Sequence, residues 1–168
     1  SANSGDVTVA NDFRKVALLK DPKSGGNAAT ANTLRATRAV KVSGVSGTFS
    51  ADEKITQTGT GAVGKVVEWD STNSILFFIQ TRHSNEGVDS NGNQTAFSGA
   101  TTITGGTSGA TATPVTSLNG SSNNVTFSSG YSVPEIDHGS GQVLYVENRA
   151  PITRAADQTE NIKLIVEF

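Results

Sequence analysis

Residues 49–67 read FSADEKITQTGTGAVGKVV, and residues 97–115 read FSGATTITGGTSGATATPV. Laid one over the other, Phe49 falls on Phe97, Ser50 on Ser98 and Ile55-Thr56 on Ile103-Thr104. Gly61-Ala62 falls on Gly109-Ala110 and Val67 on Val115. Each copy has a Phe anchor, a short strand ending at Ile-Thr, a glycine-rich turn and a second strand. Each then runs through a polar turn into another apolar stretch, ILFF at 75–78 and VTF at 125–127. A unit repeated in this way predicts two tandem β-hairpin repeats over 47–127, set within a single β domain over 1–168.

The first copy contains GTGAVGKV (59–66), which fits the dinucleotide pattern G-x-G-x-x-G at Gly59, Gly61 and Gly64. It also approaches the P-loop pattern, with Lys65 in place and Val66 where Ser or Thr belongs. The second copy has GGTSGATA (105–112) at that position, without the lysine or the spacing. Only a turn is common to both. A phosphate cradle also needs a helix after the loop, because the helix N-terminus supplies donors and dipole. The residues after Lys65, VVEWDSTNSILFF, read as strand, turn, strand. Neither a nucleotide site nor any other cofactor is predicted.

Strand patterns continue outward from the repeat. In TLRATRAVKV (33–42), Leu34, Ala36, Val40 and Val42 share one face. AVGKVVEW (62–69), the turn DSTN (70–73) and SILFFIQ (74–80) read as a hairpin. QVLYVEN (142–148) and NIKLIVEF (161–168) are two further strands. DFRKVALLK (12–20) fits a short helix and a strand equally. RHSNEGVDSNGNQT (82–95) is a long polar loop without periodicity. The expected fold is mainly β, a β-sandwich of antiparallel hairpins with long polar loops and little helix.

Composition agrees. Ser and Thr supply 40 of the 168 residues, while charged residues make up 17%. Such a chain favours turns and half-buried strands over helices, whose exposed faces need Glu, Lys, Arg and Gln. Cysteine is absent, so neither disulfides nor thiolate metal sites are available. The longest apolar run, ILFFI (75–79), is far short of the roughly 20 residues of a membrane-spanning helix. Nucleic-acid binding wants clustered cations. Here the early basic residues are spread from Arg14 to Lys41 and offset by Asp6, Asp12 and Asp21, and none occurs from His83 to Asn148. They read as a solvated strand face, not a nucleic-acid site.

Candidates for chemistry are sparse. EIDH (135–138) holds three potential metal ligands but reads as a surface loop. DSNGNQT (89–95) resembles a calcium loop, yet its Gly92 comes two places early and no Glu closes it. Asp52-Glu53 has Ala100-Thr101 as its counterpart in the second copy, which is weak ground for catalysis. Trp69 on a strand reads as core or half-core. No catalytic or metal site is predicted, and the protein is expected not to be an enzyme.

GQVLYVENRAPITRAADQTENIKLIVEF (141–168) resembles the C-terminal end of a baseplate wedge subunit, the eighth gene product, of T-even-like contractile-tailed bacteriophages of cyanophage type. NDFRKVALLKDP (11–22) is similar to another segment of that family. The family protein is about twice as long, and the resemblance implies that this chain corresponds to its C-terminal portion or to a short relative. It implies β-sandwich layers, homodimerisation, contacts with other wedge subunits, no catalysis, and a place in the virion tail baseplate after assembly in the host cytoplasm. Arg149, Arg154, Asp157 and Gln158 lie between two strong strands. They either pair within the chain, tying those strands, or form part of a partner interface through charge-assisted hydrogen bonds. The competing function is a carbohydrate- or host-binding β-module of a fibre or adhesin, which calls for exposed aromatic residues.

Overall fold

A computed structural model describes residues 14–80 and 86–149. Thirteen strands occur among them, and no helix. In chain order they are β1 (Arg14–Lys20), β2 (Lys23–Ser24), β3 (Asn27–Ala28), β4 (Arg38–Ser46) and β5 (Lys54–Gln57). Then come β6 (Val63–Asp70), β7 (Ile75–Ile79), β8 (Ile103–Gly105), β9 (Thr111–Pro114) and β10 (Gly120–Ser122). β11 (Val125–Phe127), β12 (Tyr131–Ser132) and β13 (Gln142–Arg149) complete the series. The chain divides into two compact units. Asp21–Gln142 forms one, and the described residues 14–20 and 143–149 belong to the other.

In the larger unit, β4, β7, β6, β5, β8 and β9 are hydrogen-bonded in that order, and β9 pairs back onto β4. The sheet therefore closes into a six-stranded barrel, which replaces the expected sandwich. The closing β4–β9 pairing carries a bulge in β4. Ser43 pairs with Thr113, but the next pair is Ser46 with Thr111, so β4 carries one extra residue. Gly44 sits in this bulge at φ +58°, a backbone conformation that costs glycine little and other residues more. Ahead of the bulge β4 changes neighbour, from β12 at Ala39 and Val40 to β9 from Val42 onward.

Hairpins β5–β6 and β8–β9 have corresponding registers. Ile55 pairs with Gly64 and Thr56 with Val63; Ile103 pairs with Ala112 and Thr104 with Thr111. The two hairpins meet along an antiparallel seam between β5 and β8 that is two-fold in pattern. Thr56 faces Thr104, and Ile55–Gly105 is mirrored by Gln57–Ile103. The glycine segment after Gln57 is the turn of the first hairpin, and the chain beyond Lys65 continues as β6.

Period-two alternation fills the barrel. Val40, Val42, Ile55, Val66, Leu76, Phe78, Ile103 and Ala112 point inward with Phe49 and Phe97. The rings of Phe78 and Phe97 meet edge to face at 4.7 Å. Gly64 leaves the room they need, since a Cβ there would lie 3.0 Å from Phe78 and 3.2 Å from Phe97. Large rings over a small residue suit the narrow lumen of a small barrel. Trp69 is half-buried and packs edge-on against Phe49.

A second core lies on the opposite face of β4 and β7. Ala39 and Ile75 are buried there with Val125 and Phe127, flanked by Phe77 and Leu118. The cover is hairpin β10–β11, turned by Asn123 and Asn124, both at positive φ. Two such residues form the kind of tight turn whose twist matches paired strands. On the sequence reading, 33–42 is one strand. Instead β4 begins at Arg38, and Leu34 is exposed. Segment 12–20, open between helix and strand, provides β1.

Candidate interaction surface

Two buried polar side chains, Glu53 and Gln57, are candidates for chemistry by their burial, and both are occupied by the fold. Glu53 is 4% exposed. Its carboxylate accepts hydrogen bonds from the backbone N–H groups of Ser50 (2.7 Å), Thr107 (3.0 Å) and Ser108 (2.9 Å), and from the Ser108 hydroxyl (2.7 Å). Burial pushes its pKa up, but these donors more than offset that, and the group sits below the ordinary carboxylate range. Gly105 makes room for it, because a Cβ there would lie 2.7 Å from the carboxylate. Gln57 donates through Nε2 to the carbonyls of Ser98 and Thr101 and to the Tyr131 hydroxyl. Its Oε1 accepts from the Ser98 N–H. Tyr131 in turn donates to the Gly99 carbonyl at 2.7 Å. A residue of the first hairpin thus caps each turn of the second copy.

The loop candidates are structural as well. Glu135 pairs with Arg35, and Asp137 caps the turn between β2 and β3. Asp89 accepts from the N–H groups of Asn91 and Asn93, an Asx-type turn closed by the bridge between Val88 and Gln94. Among the described residues no group of three or more His, Asp or Glu is arranged to hold a metal ion. No helix among them is long and apolar enough to cross a membrane.

The smaller unit is different. Its described strands, β1 and β13, form a two-stranded sheet. Val143, Leu144, Tyr145 and Val146 are each more than half exposed, as is Leu18 in β1. Four consecutive strand residues point alternately to opposite faces, so both faces of the ribbon are apolar. A two-stranded ribbon is marginal by itself in water, and contiguous exposed apolar surface marks an interaction site. The sequence signal was present in QVLYVEN, an apolar run without alternation, which fits a strand covered on both sides. Of the predicted interface residues, Arg149 is the last residue of β13. Arg154, Asp157 and Gln158, and the predicted strand at 161–168, lie outside the described residues.

Comparison with known families places this region. Residues 111–168 match the family Phage-Gp8, described as Bacteriophage T4, Gp8. No curated protein and no solved structure gives a significant match. The matched stretch runs from β9 to the chain end and includes β13 with its exposed apolar residues. Over this C-terminal third the chain is thus similar to the baseplate wedge subunit Gp8 of bacteriophage T4, and the match supports a structural role in a phage baseplate.

Proposed function

We propose that the protein is a structural component of a contractile-tail baseplate wedge that acts through protein–protein contacts, without catalysis. It pairs with a second copy of itself and with other wedge proteins, is assembled in the host cytoplasm and resides in the virion. One observation carries this reading: the family match includes the strand in which Val143 to Val146 stand exposed. The ribbon β1–β13 is the contact surface, and Arg149, Arg154, Asp157 and Gln158 supply polar contacts to the partner. The barrel is the rigid body of the larger unit, and the equivalent registers of β5–β6 and β8–β9 favour a tandem duplication over 47–127.

The test is multi-angle light scattering of the full chain, alone and after substitution of Leu144→Asp and Val146→Asp. Placing a carboxylate in a desolvated apolar contact costs several kcal/mol, so association should weaken by at least about a hundredfold. Circular dichroism of the variants should match the parent. A parent chain that stays monomeric at tens of micromolar (order of magnitude, as for weak transient contacts) and binds a sugar on a glycan array would overturn the proposal in favour of the carbohydrate-binding module.

A further inference from the structure

The opening and closing segments of the larger unit, 21–37 and 133–142, lie outside the barrel wall, and β2, β3 and their surroundings have no barrel strand as partner. They hold each other. Asp137 Oδ1 accepts from the N–H of Gly25 at 2.9 Å, and Oδ2 from that of Gly26 at 2.7 Å. The Asp137 N–H donates to the Lys23 carbonyl at 2.8 Å, and the Lys23 N–H donates to Ser140 Oγ at 3.0 Å. Ser140 Oγ donates back to the Asp137 carbonyl at 2.7 Å. Two residues earlier the pattern repeats. The Glu135 N–H donates to the Arg35 carbonyl at 2.8 Å, and the Arg35 N–H donates to Glu135 Oε2 at 3.2 Å. The Arg35 guanidinium also donates to the carbonyls of Thr37 and Val133 and to Ser132 Oγ, just where β4 and β12 begin to pair.

We infer that Glu135 and Asp137 fasten a strap between the two ends of the larger unit, so that the barrel keeps its fold independently of strands β1 and β13. Chain connectivity supplies the reason. β1 ends at Lys20 and β13 starts at Gln142, so along the chain the ribbon strands join the barrel through residues 21–37 and 133–142. Without cross-links these segments would fray inward to Arg38 and Ser132, where the short pairing of β12 with β4 offers two residue pairs. Two carboxylates set two residues apart on the closing segment, Glu135 gripping one backbone N–H of the opening segment and Asp137 two, stop the fraying before it reaches the wall. Domains whose ends lie together tolerate being inserted into another chain segment, and the strap is what brings these ends together. In the proposed baseplate role this isolates the rigid body from changes at the contact strands, but the inference rests on unit architecture and its test does not measure association.

The test uses hydrogen exchange with mass spectrometry on the full chain, with a specific protease site introduced after Lys20. Cleavage with the strap intact should leave exchange in β4 to β9 unchanged. In the combined variant Asp137→Asn and Glu135→Gln, exchange at 23–28 should rise by about tenfold or more before any cut, as expected for loss of charge-assisted hydrogen bonds. Cutting that variant should then raise exchange in β4 and β12. Asp137→Asn alone, the milder change, should show the same rise at 23–28 with the barrel protected. The inference fails if cleavage alone exposes the barrel, if 23–28 exchanges at the parental rate in the variants, or if cutting the combined variant leaves β4 and β12 protected.

Discussion

Glu53 shows how one residue decides the local design. It lies immediately before β5, two positions before Ile55 and four before Gln57, on the face that those two side chains bury, and its counterpart in the second copy is Thr101. A buried carboxylate survives there because four donors surround it. Glu53→Gln preserves volume but offers one acceptor oxygen for those donors, so it should lower stability by roughly 2–4 kcal/mol, measured by urea unfolding. The pH dependence follows from the direction of the shift. A carboxyl held below its unfolded value stabilises the fold fully above the unfolded pKa of about 4.3, and that contribution is lost as pH falls through the folded value. The parent should therefore lose stability as pH falls below about 4.3, and Glu53→Gln should lose less over the same range. Equal slopes for the two proteins would show that Glu53 carries no such linkage. The sequence held a signal for this residue: alternation puts Glu53, Ile55 and Gln57 on one face. What it lacked was the position of residues 106–108, which come to that face only through the β5–β8 seam.

At the scale of elements, local pairing was legible and closure was not. β6, its turn and β7 follow directly from two β-rich runs around DSTN, and Asp70 fixes that turn by accepting from the N–H and Nδ2 of Asn73. β13 is equally plain in QVLYVEN. Alternation shows that strands have an inner face, but a barrel and a sandwich satisfy it alike; the difference lies in whether β9 returns to β4. That pairing joins residues far apart in sequence across a bulge, and β8 and β9 span only 3 and 4 residues. The start of β4 was misplaced for a related reason. Arg35 and Thr37 sit in an alternating run, yet Arg35 is bound to Val133, Ser132 and Glu135 and not to a strand ladder. Hairpin β10–β11 makes an element-scale prediction. Phe127 is 2% exposed and, with Val125, covers Ala39 and Ile75 on the outer face of the wall. Phe127→Ala should cost about 3–5 kcal/mol and release protection first in β10 and β11. Thermal unfolding with hydrogen exchange reads both. Loss of protection in β5 and β8 before β10 and β11 would show that the second core is not an independent layer.

At the scale of the whole molecule, the two units differ in how they answer the demand to bury apolar surface. The larger one answers it internally, with a filled barrel and a second core beneath β10–β11. The described strands of the smaller one leave Leu18 and Val143 to Val146 in water. Association that covers those side chains stabilises the smaller unit by mass action and leaves the larger one's own balance untouched. Heating should therefore give two transitions in differential scanning calorimetry, since separate cores break two-state behaviour. One should move up with protein concentration, by an amount corresponding to about 1.4 kcal/mol per tenfold increase for a dimer. The other should stay fixed across the series. Its assignment is checked by Phe127→Ala, which should lower the fixed transition alone, and by Leu144→Asp with Val146→Asp, which should abolish the concentration dependence of the mobile one. A single transition at one temperature for every concentration and both variants would mean that the two units unfold as one and that the exposed strand contributes no assembly energy.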